Sequence, residues 1–538
     1  MNKILTILLF LSFFSGWAQE GKYVVFFKDK AGTPHSIENP STFLSAKSVA
    51  RREKQNIAIT DQDLPVDPSY VASLASIGAE ALYTSRWFNC ALVEVTDDKL
   101  PAIEAQAFVM STTYVAPATG VSGGRIKKIK EKKESSADLE NFVQLEMIGL
   151  DDLHEEGYDA AGITIGVFDS GFEGVDLTDA FVSLRDEDRI KDWFDFVGKG
   201  ENVYQYDAHG SEVLSIMAAE LDGSYRGGAY GANYLLYVTE DVASEFRVEE
   251  YNWLFAAERA DSAGVDIINS SLGYNLFDDP AMNYEPSQMD GQTAVVTRAA
   301  AIALTKGIVV VVSAGNDGGN SWNIINPPAD ADGVLAVGAV ASTGGLASFS
   351  SVGPSADGRI KPDVVAMGSS VSIVKSNGSL GVQSGTSEAA PLIASLAAGV
   401  WQAFPDLSAE EVYSLIINSG SLAQNPDNQR GYGLPHYVII KSLLNVISAV
   451  DDEMGAADFL IYPNPAKDEL IVEGNESFTA KAKIQVMDVM GRVSLDAEIA
   501  FESPNYSRAI DISRLSAGTY LLRVITADRT FQFRFMKK

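Results

Sequence analysis

Four short stretches carry chemically competent side chains to the ends of regular elements. ITIGVFDS (163–170) closes a β-branched run on Asp169, and DAHGSEVLSIMAA (207–219) sets His209 at a helix start. GIVVVVSAGN (307–316) ends on Asn316, and SGTSEAAP (384–391) offers Ser387 in the first turn of an alanine-rich helix. A carboxylate beside an imidazole holds one tautomer and stabilises the protonated ring, and an imidazole beside a hydroxyl takes its proton and makes a nucleophile. A side-chain amide donates to a developing oxyanion, typically lowering the barrier by roughly 3–4 kcal/mol. A helix N-terminus favours negative charge, which suits a nucleophile such as Ser387.

Taken singly, each residue has an ordinary reading. Asp-Ser-Gly after a strand is a turn, His209 a polar cap, Asn316 a turn asparagine and Ser387 a helix cap. Their co-occurrence at four element ends speaks for chemistry, provided that the fold brings those ends together.

The elements that must do so lie between about 140 and 445. ITIGVFDS, VDIINSSLG (265–273), GIVVVVSAG (307–315) and GVLAVGAV (333–340) are continuous apolar runs, as expected of parallel strands covered on both faces. Helical stretches alternate with them: EVLSIMAAEL, EEYNWLFAAERADSAG and TAVVTRAAAIALTKG. This alternation predicts an α/β fold with a doubly wound, mostly parallel sheet, whose functional groups sit beyond the carboxyl ends of the strands.

The flanks differ. Residues 20–120 join strand-like runs (KYVVFFKD, NCALVEVTD) to one helical stretch, PSYVASLASIGAEALY, and predict a small α+β unit. GGRIKKIKEKKESS (123–136) reads as a solvated basic connector and an exposed processing site. Residues 451–538 carry short alternating runs (DELIVEG, KIQVMDVMG, TYLLRVITADRTFQFRFMKK) that predict a small β-sandwich.

Composition narrows the partners. With 41 basic and 72 acidic side chains in 538 residues the net charge is −31, which argues against nucleic acid and anionic lipid surfaces. Residues 1–18 have an early lysine, an apolar run from Ile4 to Phe14 and small residues Gly16 and Ala18, the pattern of a secretory signal peptide cleaved after Ala18. The single cysteine, Cys90, allows no intrachain disulfide, and four histidines without a ligand cluster argue against zinc.

Through VFDSG, HGSEV, NSSLG, SAGN and GTSEAAP, in that order over about 300 residues, the chain resembles the subtilisin-like serine peptidases. The resemblance implies Ser387 as nucleophile, His209 as general base and then acid, Asp169 as its orienting partner, and Asn316 with the Ser387 amide as oxyanion hole. Ser271, Leu272 and Gly273 match the edge that pairs with the substrate backbone as an added strand. KYVVFFKDKAG, RREKQNIAI, DLPVDPSYVASLASIGA and SRWFNCALVEV resemble the propeptide of Bacteroidetes members, which chaperones folding and blocks the cleft. FLIYPNPAKDELIVEG, IQVMDVMGRV and IDISRLSAGTYLLRVITADRTFQFRF resemble the sorting domain of the type IX secretion system, and hence imply a secreted or surface-attached product that has crossed the periplasm.

The resulting expectation is a signal peptide (1–18), a propeptide with its basic linker (19–137), a subtilisin-like domain (138–448) and a sorting domain (451–538). The resemblance implies protein or peptide substrates, the chain's own propeptide and the secretion machinery as partners, and chemistry that requires no cofactor. Structural calcium is common in the family, but no ligand loop is legible.

Two departures stand out: Ser211 replaces the usual threonine after His-Gly, and Glu388 replaces an apolar residue after the nucleophile. Glu388 either acts on the catalytic histidine, stabilising imidazolium, or points into solvent. Two other readings remain at this level: an α/β-hydrolase-type esterase using Ser387, Asp406 or Asp427, and His436, and a non-catalytic peptidase fold used for adhesion or binding.

Overall fold

The computed structural model describes residues 20–118, 142–452, 459–474, 481–488, 493–500, 507–515, 518–526 and 530–537. The expected signal peptide and basic connector lie outside these residues.

The first unit is a four-stranded sheet of β1 (Glu20–Phe27), β2 (Glu80–Ser85), β3 (Cys90–Thr96) and β4 (Val109–Pro117), in the order β2-β3-β1-β4. Helices α1 (Ala46–Lys54) and α2 (Pro68–Ile77) accompany it. The stretch 68–83 is not one helix as expected. Gly78 adopts a left-handed conformation (φ 87°) that caps α2, and the chain then enters β2.

The central unit is a seven-stranded parallel sheet. Its strands are β5 (Thr164–Asp169), β6 (Ile190–Asp195), β7 (Asn233–Val238), β8 (Ile267–Ser270), β9 (Val309–Ser313), β10 (Leu335–Val340) and β11 (Val364–Met367). They run in the order β11-β10-β9-β8-β5-β7-β6. The two-residue side-chain period of a strand divides the apolar run of β9 between two cores. Val309 and Val311 join one with Ile165, Val167 and Leu236, whereas Val310 and Val312 join the other with Phe168 and Ile268. Helices α3 (His209–Ala218) and α6 (Thr386–Ala403) fill the first core, and α4 (Val248–Ala263) and α5 (Val295–Thr305) the second. Helix α3 is buried almost all round, not amphipathic, because it lies beneath α6.

The propeptide-like sheet obeys the same alternation. Tyr23, Val25 and Phe27 pack into its own core, while Val24, Cys90, Leu92 and Val115 extend the α4/α5 core. Polar contacts reinforce this docking: Asp261 on α4 accepts hydrogen bonds from Arg51, Arg52 and Arg86. Glu258 accepts from Ser85 Oγ and from the Arg86 and Trp87 amides. Burial opposes the charge on Asp261, but Arg86, Arg51 and Arg52 outweigh it and hold its carboxyl below the usual range.

The C-terminal residues form a three-stranded and a four-stranded antiparallel sheet around one core that includes Phe459, Leu470, Ile484, Leu522 and Phe535. Near the C-terminus two strands, Gly518–Ile525 and Thr530–Lys537, pair antiparallel. No helix among the described residues is long and apolar enough to cross a membrane.

Candidate active site

Asp169 is the last residue of β5, the strand from which the sheet grows in both directions, so it stands at the switch point where α/β sheets bind ligands. It is fully buried, and Thr239, just past β7, donates its amide to the Asp169 carbonyl at 2.9 Å. Its Oδ1 lies 2.7 Å from His209 Nδ1 and accepts the Ser170 amide at 2.7 Å. His209 is the first residue of α3, and the N-cap position is taken by Ala208, which removes the cap reading. The next residue must be glycine-sized: a Cβ on Gly210 would fall 2.4 Å from the Gly171 carbonyl oxygen and 2.9 Å from Asp169 Cβ. Ser211 uses its hydroxyl to donate to the Glu173 carbonyl at 2.7 Å.

Ser387 is not a cap either. The N-cap of α6 is Gly385, which has no side chain, and Ser387 Oγ instead donates to the Ser271 carbonyl at 3.2 Å. Ser271 Oγ returns a bond to the Ser387 carbonyl at 2.8 Å. Residues 270 and 168 are partners in the β8/β5 register, so Ser387 is held at the same carboxyl edge of the sheet, one strand from Asp169.

Asn316 lies three residues beyond β9 in an exposed turn. Its Oδ1 accepts from the Thr386 amide at 2.8 Å and from Thr386 Oγ1 at 2.9 Å, and Thr386 Oγ1 accepts the Gly315 amide at 3.2 Å. With its carbonyl end held, the side chain presents its amide end, which lies 3.3 Å from where a Cβ on Gly385 would project. Thr386 is therefore a positioning residue that the motif reading passed over, although it sits inside the quoted GTSEAAP.

The expected substrate edge is divided in its roles. Ser271 is buried and spends both hydroxyl and carbonyl on Ser387, the Leu272 carbonyl accepts from Ser313 Oγ at 3.3 Å, and Gly273 is exposed. Beyond it, residues 275–292 fold through two short 3-10 turns and seat Phe277 and Tyr284 on Arg247, whose guanidinium lies 5.4 Å and 3.9 Å from the two ring centres.

Glu388 does not point into solvent: it is 1% exposed, and its Oε2 lies 2.6 Å from the position a Gly385 Cβ would occupy. His436 is elsewhere engaged, accepting the Val438 amide on Nδ1 and packing on Gly149, and no contact among the described residues joins it to Ser387, Asp406 or Asp427.

Comparison with known proteins agrees with this architecture. Residues 160–433 match the Subtilase family, residues 22–135 the "Peptidase S8 propeptide domain, Bacteroidota", and residues 460–538 the "Secretion system C-terminal sorting domain". Subtilisin DY of Bacillus licheniformis is 31% identical over 304 residues, covering 56% of this chain and 96% of that protein. Serine protease AprX of Bacillus subtilis (strain 168) is 32% identical over 287 residues, 48% of this chain and 61% of its own length. Among solved structures, the MycP3 protease from the type VII (ESX-3) secretion system is 22% identical with a TM-score of 0.47, covering 57% of this chain and 90% of that one. The type IX sorting domain marks an exported protein, secreted or held at the cell surface, and the propeptide domain marks a zymogen. The chain belongs to the subtilase family and is a serine endopeptidase.

Proposed function

We propose that residues 138–448 cleave peptide bonds through Asp169, His209 and Ser387, that residues 19–137 restrain them before maturation, and that residues 451–538 address the chain to the secretion machinery. Ser387 Oγ attacks the scissile carbonyl while His209 Nε2 takes its proton. Asp169 keeps the other imidazole proton on Nδ1 and stabilises the imidazolium as it forms. The tetrahedral oxyanion receives hydrogen bonds from Asn316 Nδ2 and the Ser387 amide. Collapse breaks the C–N bond, and the leaving amine carries away the proton from His209. Water, deprotonated by the same histidine, then hydrolyses the acyl ester and frees Ser387. The substrate backbone lies along 271–273 as an added strand, with Gly273 the exposed part of that edge.

The observation that carries this reading is the 2.7 Å bond between a fully buried carboxylate and an imidazole at the carboxyl edge of a parallel sheet. Subtilases need no cofactor for catalysis, and this reading requires none. Structural calcium in this reading acts on loop stability and not on bond cleavage. The test is fluorophosphonate labelling and peptide hydrolysis by processed wild type and by Ser387→Ala, His209→Ala and His436→Ala. Loss in the first two with retention in the third is expected; loss in His436→Ala with retention in His209→Ala would overturn the assignment.

A further inference from the structure

Just past β7 the chain turns through Glu240 and Asp241 and reaches Glu249 in the first turn of α4. Carboxylate oxygens of Glu240, Glu245 and Glu249 lie within 4.8 Å of one another. Glu240 is oriented by the Tyr274 hydroxyl and by Thr239 Oγ1 at 3.1 Å. Glu245 is anchored by a backbone exchange with Asp278: its amide donates to Asp278 Oδ2 at 3.1 Å, and the Asp278 amide donates to its carbonyl at 2.9 Å.

Glu249 supplies the observation that a chance cluster of acids lacks. It is 1% exposed, its Oε1 accepts the Asp241 amide at 3.1 Å, and its Oε2 is buried with no hydrogen-bond partner. A buried carboxylate oxygen without a donor costs more than the average hydrogen bond gains, so such atoms mark an unfilled role. The neighbouring charges do not fill it. Lys22 and Lys199 share a cavity with Asp241 and Glu249 on the propeptide side, but neither forms an ion pair with Glu249 among the described residues, and Lys199 pairs with Glu94 at 3.6 Å. The charges that act most strongly on Glu240 are those of Glu245 and Asp169, both negative.

We propose that Glu240, Glu245 and Glu249 bind a calcium-class divalent cation that ties the end of β7, the start of α4 and the Tyr274 end of the substrate edge together. All donors are oxygens, which suits a hard cation. Ligands at about 2.3–2.6 Å from one calcium stand no more than about 5 Å apart, and oxygens within 4.8 Å of one another satisfy that limit. Water completes the shell on the half-buried side, where Glu240 and Glu245 lie. The crowding that a cation relieves is evident in the acids themselves. Burial and the charge of Glu245 push Glu240 up to about 8, and burial with the charges of Glu245 and Glu240 lifts Glu249 well above the usual carboxylate range. This inference rests on the carboxylates and not on the peptide-bond chemistry.

Terbium provides the probe, because Tyr274 touches Glu240 and sensitises a lanthanide bound there. In the full chain carrying Ser387→Ala, tyrosine-excited terbium luminescence is expected to report a tight site that calcium displaces. Glu249→Gln and Glu240→Gln each weaken that site at least ten-fold, whereas Asp332→Asn, an exposed carboxylate elsewhere, leaves it unchanged. Calcium raises the Tm of the parent chain, and this rise disappears in Glu249→Gln. Should a core variant not fold, Glu245→Gln on the half-buried rim gives the same reading. Absence of a calcium-displaceable site in the parent chain, or unchanged affinity in the folded glutamine variants, overturns the proposal.

Discussion

Ser271 and Ser387 hold each other twice, hydroxyl to carbonyl in both directions, at 2.8 Å and 3.2 Å. The shorter bond follows from Pro391, which lies inside α6 four residues after Ser387. A proline has no N–H to give the carbonyl one turn back, so the Ser387 carbonyl is released from the helix ladder. Ser271 Oγ takes up the acceptor that the proline leaves. The helix defect thus ties the proposed nucleophile to the strand edge beside it.

This relationship can be tested by a double-mutant cycle in the Ser387→Ala background, which keeps the carbonyl and prevents self-digestion. Ser271→Ala strands a buried acceptor and is expected to cost about 1–3 kcal/mol. Pro391→Ala restores a helical donor, so the cost of Ser271→Ala should shrink when the two are combined. Strictly additive losses of stability in denaturant melts would count against the link.

Asn316→Ala should lower kcat by about 10²–10³ with little change in KM, the cost typical of removing one oxyanion donor, a magnitude set within this peptidase family. Thr386→Val keeps the amide group but removes the hydroxyl that holds its carbonyl end. A loss of about five-fold in kcat, equivalent to roughly 1 kcal/mol, is expected there. Steady-state kinetics on a peptide substrate separate the two cases, and an equal loss in both would show that Thr386 does more than orient Asn316.

Asp261→Asn leaves three buried guanidinium groups facing a neutral acceptor. Removing one partner of a buried pair costs about 3–5 kcal/mol, and the Tm of the full chain carrying Ser387→Ala should fall accordingly. The pH sign is fixed by the lowered carboxyl. Its stabilisation is fully present above the unfolded value of about 3.9 and is lost as pH falls through the still lower folded value. Between pH 5 and 7 the gap between parent and variant should therefore be constant, closing only in stronger acid.

Glu388→Met removes a buried carboxylate one residue beyond Ser387. If that carboxylate stabilises the imidazolium of His209, the acidic limb of kcat/KM moves to lower pH in the variant. Coincident limbs would end this role. Gly385→Ala complements the test, since its Cβ meets Glu388 Oε2 at 2.6 Å and Asn316 Nδ2 at 3.3 Å; lower kcat in a folded protein is the expected outcome.

What was legible in the sequence was local or repeated. Five buried β-branched or small residues in β9 announce a doubly covered strand, and glycine followed by small residues announces the start of α6. The helix expected over 68–83 ran too far because alanine, serine and leucine suit a helix on either side of Gly78, and only its backbone conformation stops it. Thr386 went unnoticed since its partner is 70 residues away, and the Arg86–Asp261 contact spans 175. The three glutamates after β7 were hidden for a different reason: among the chain's 72 acidic residues, these three give no contrast until folding removes their water.

The bonds from Arg51, Arg52 and Arg86 to Asp261, and the shared core behind them, lie entirely within residues before 118 and after 142. Severing the connector therefore breaks one covalent link and none of these contacts. Under the proposed restraint by residues 19–137, cutting the connector and losing the cut segment would be two separate events. A nicked chain would keep the N-terminal unit docked on Asp261 until those contacts themselves are lost.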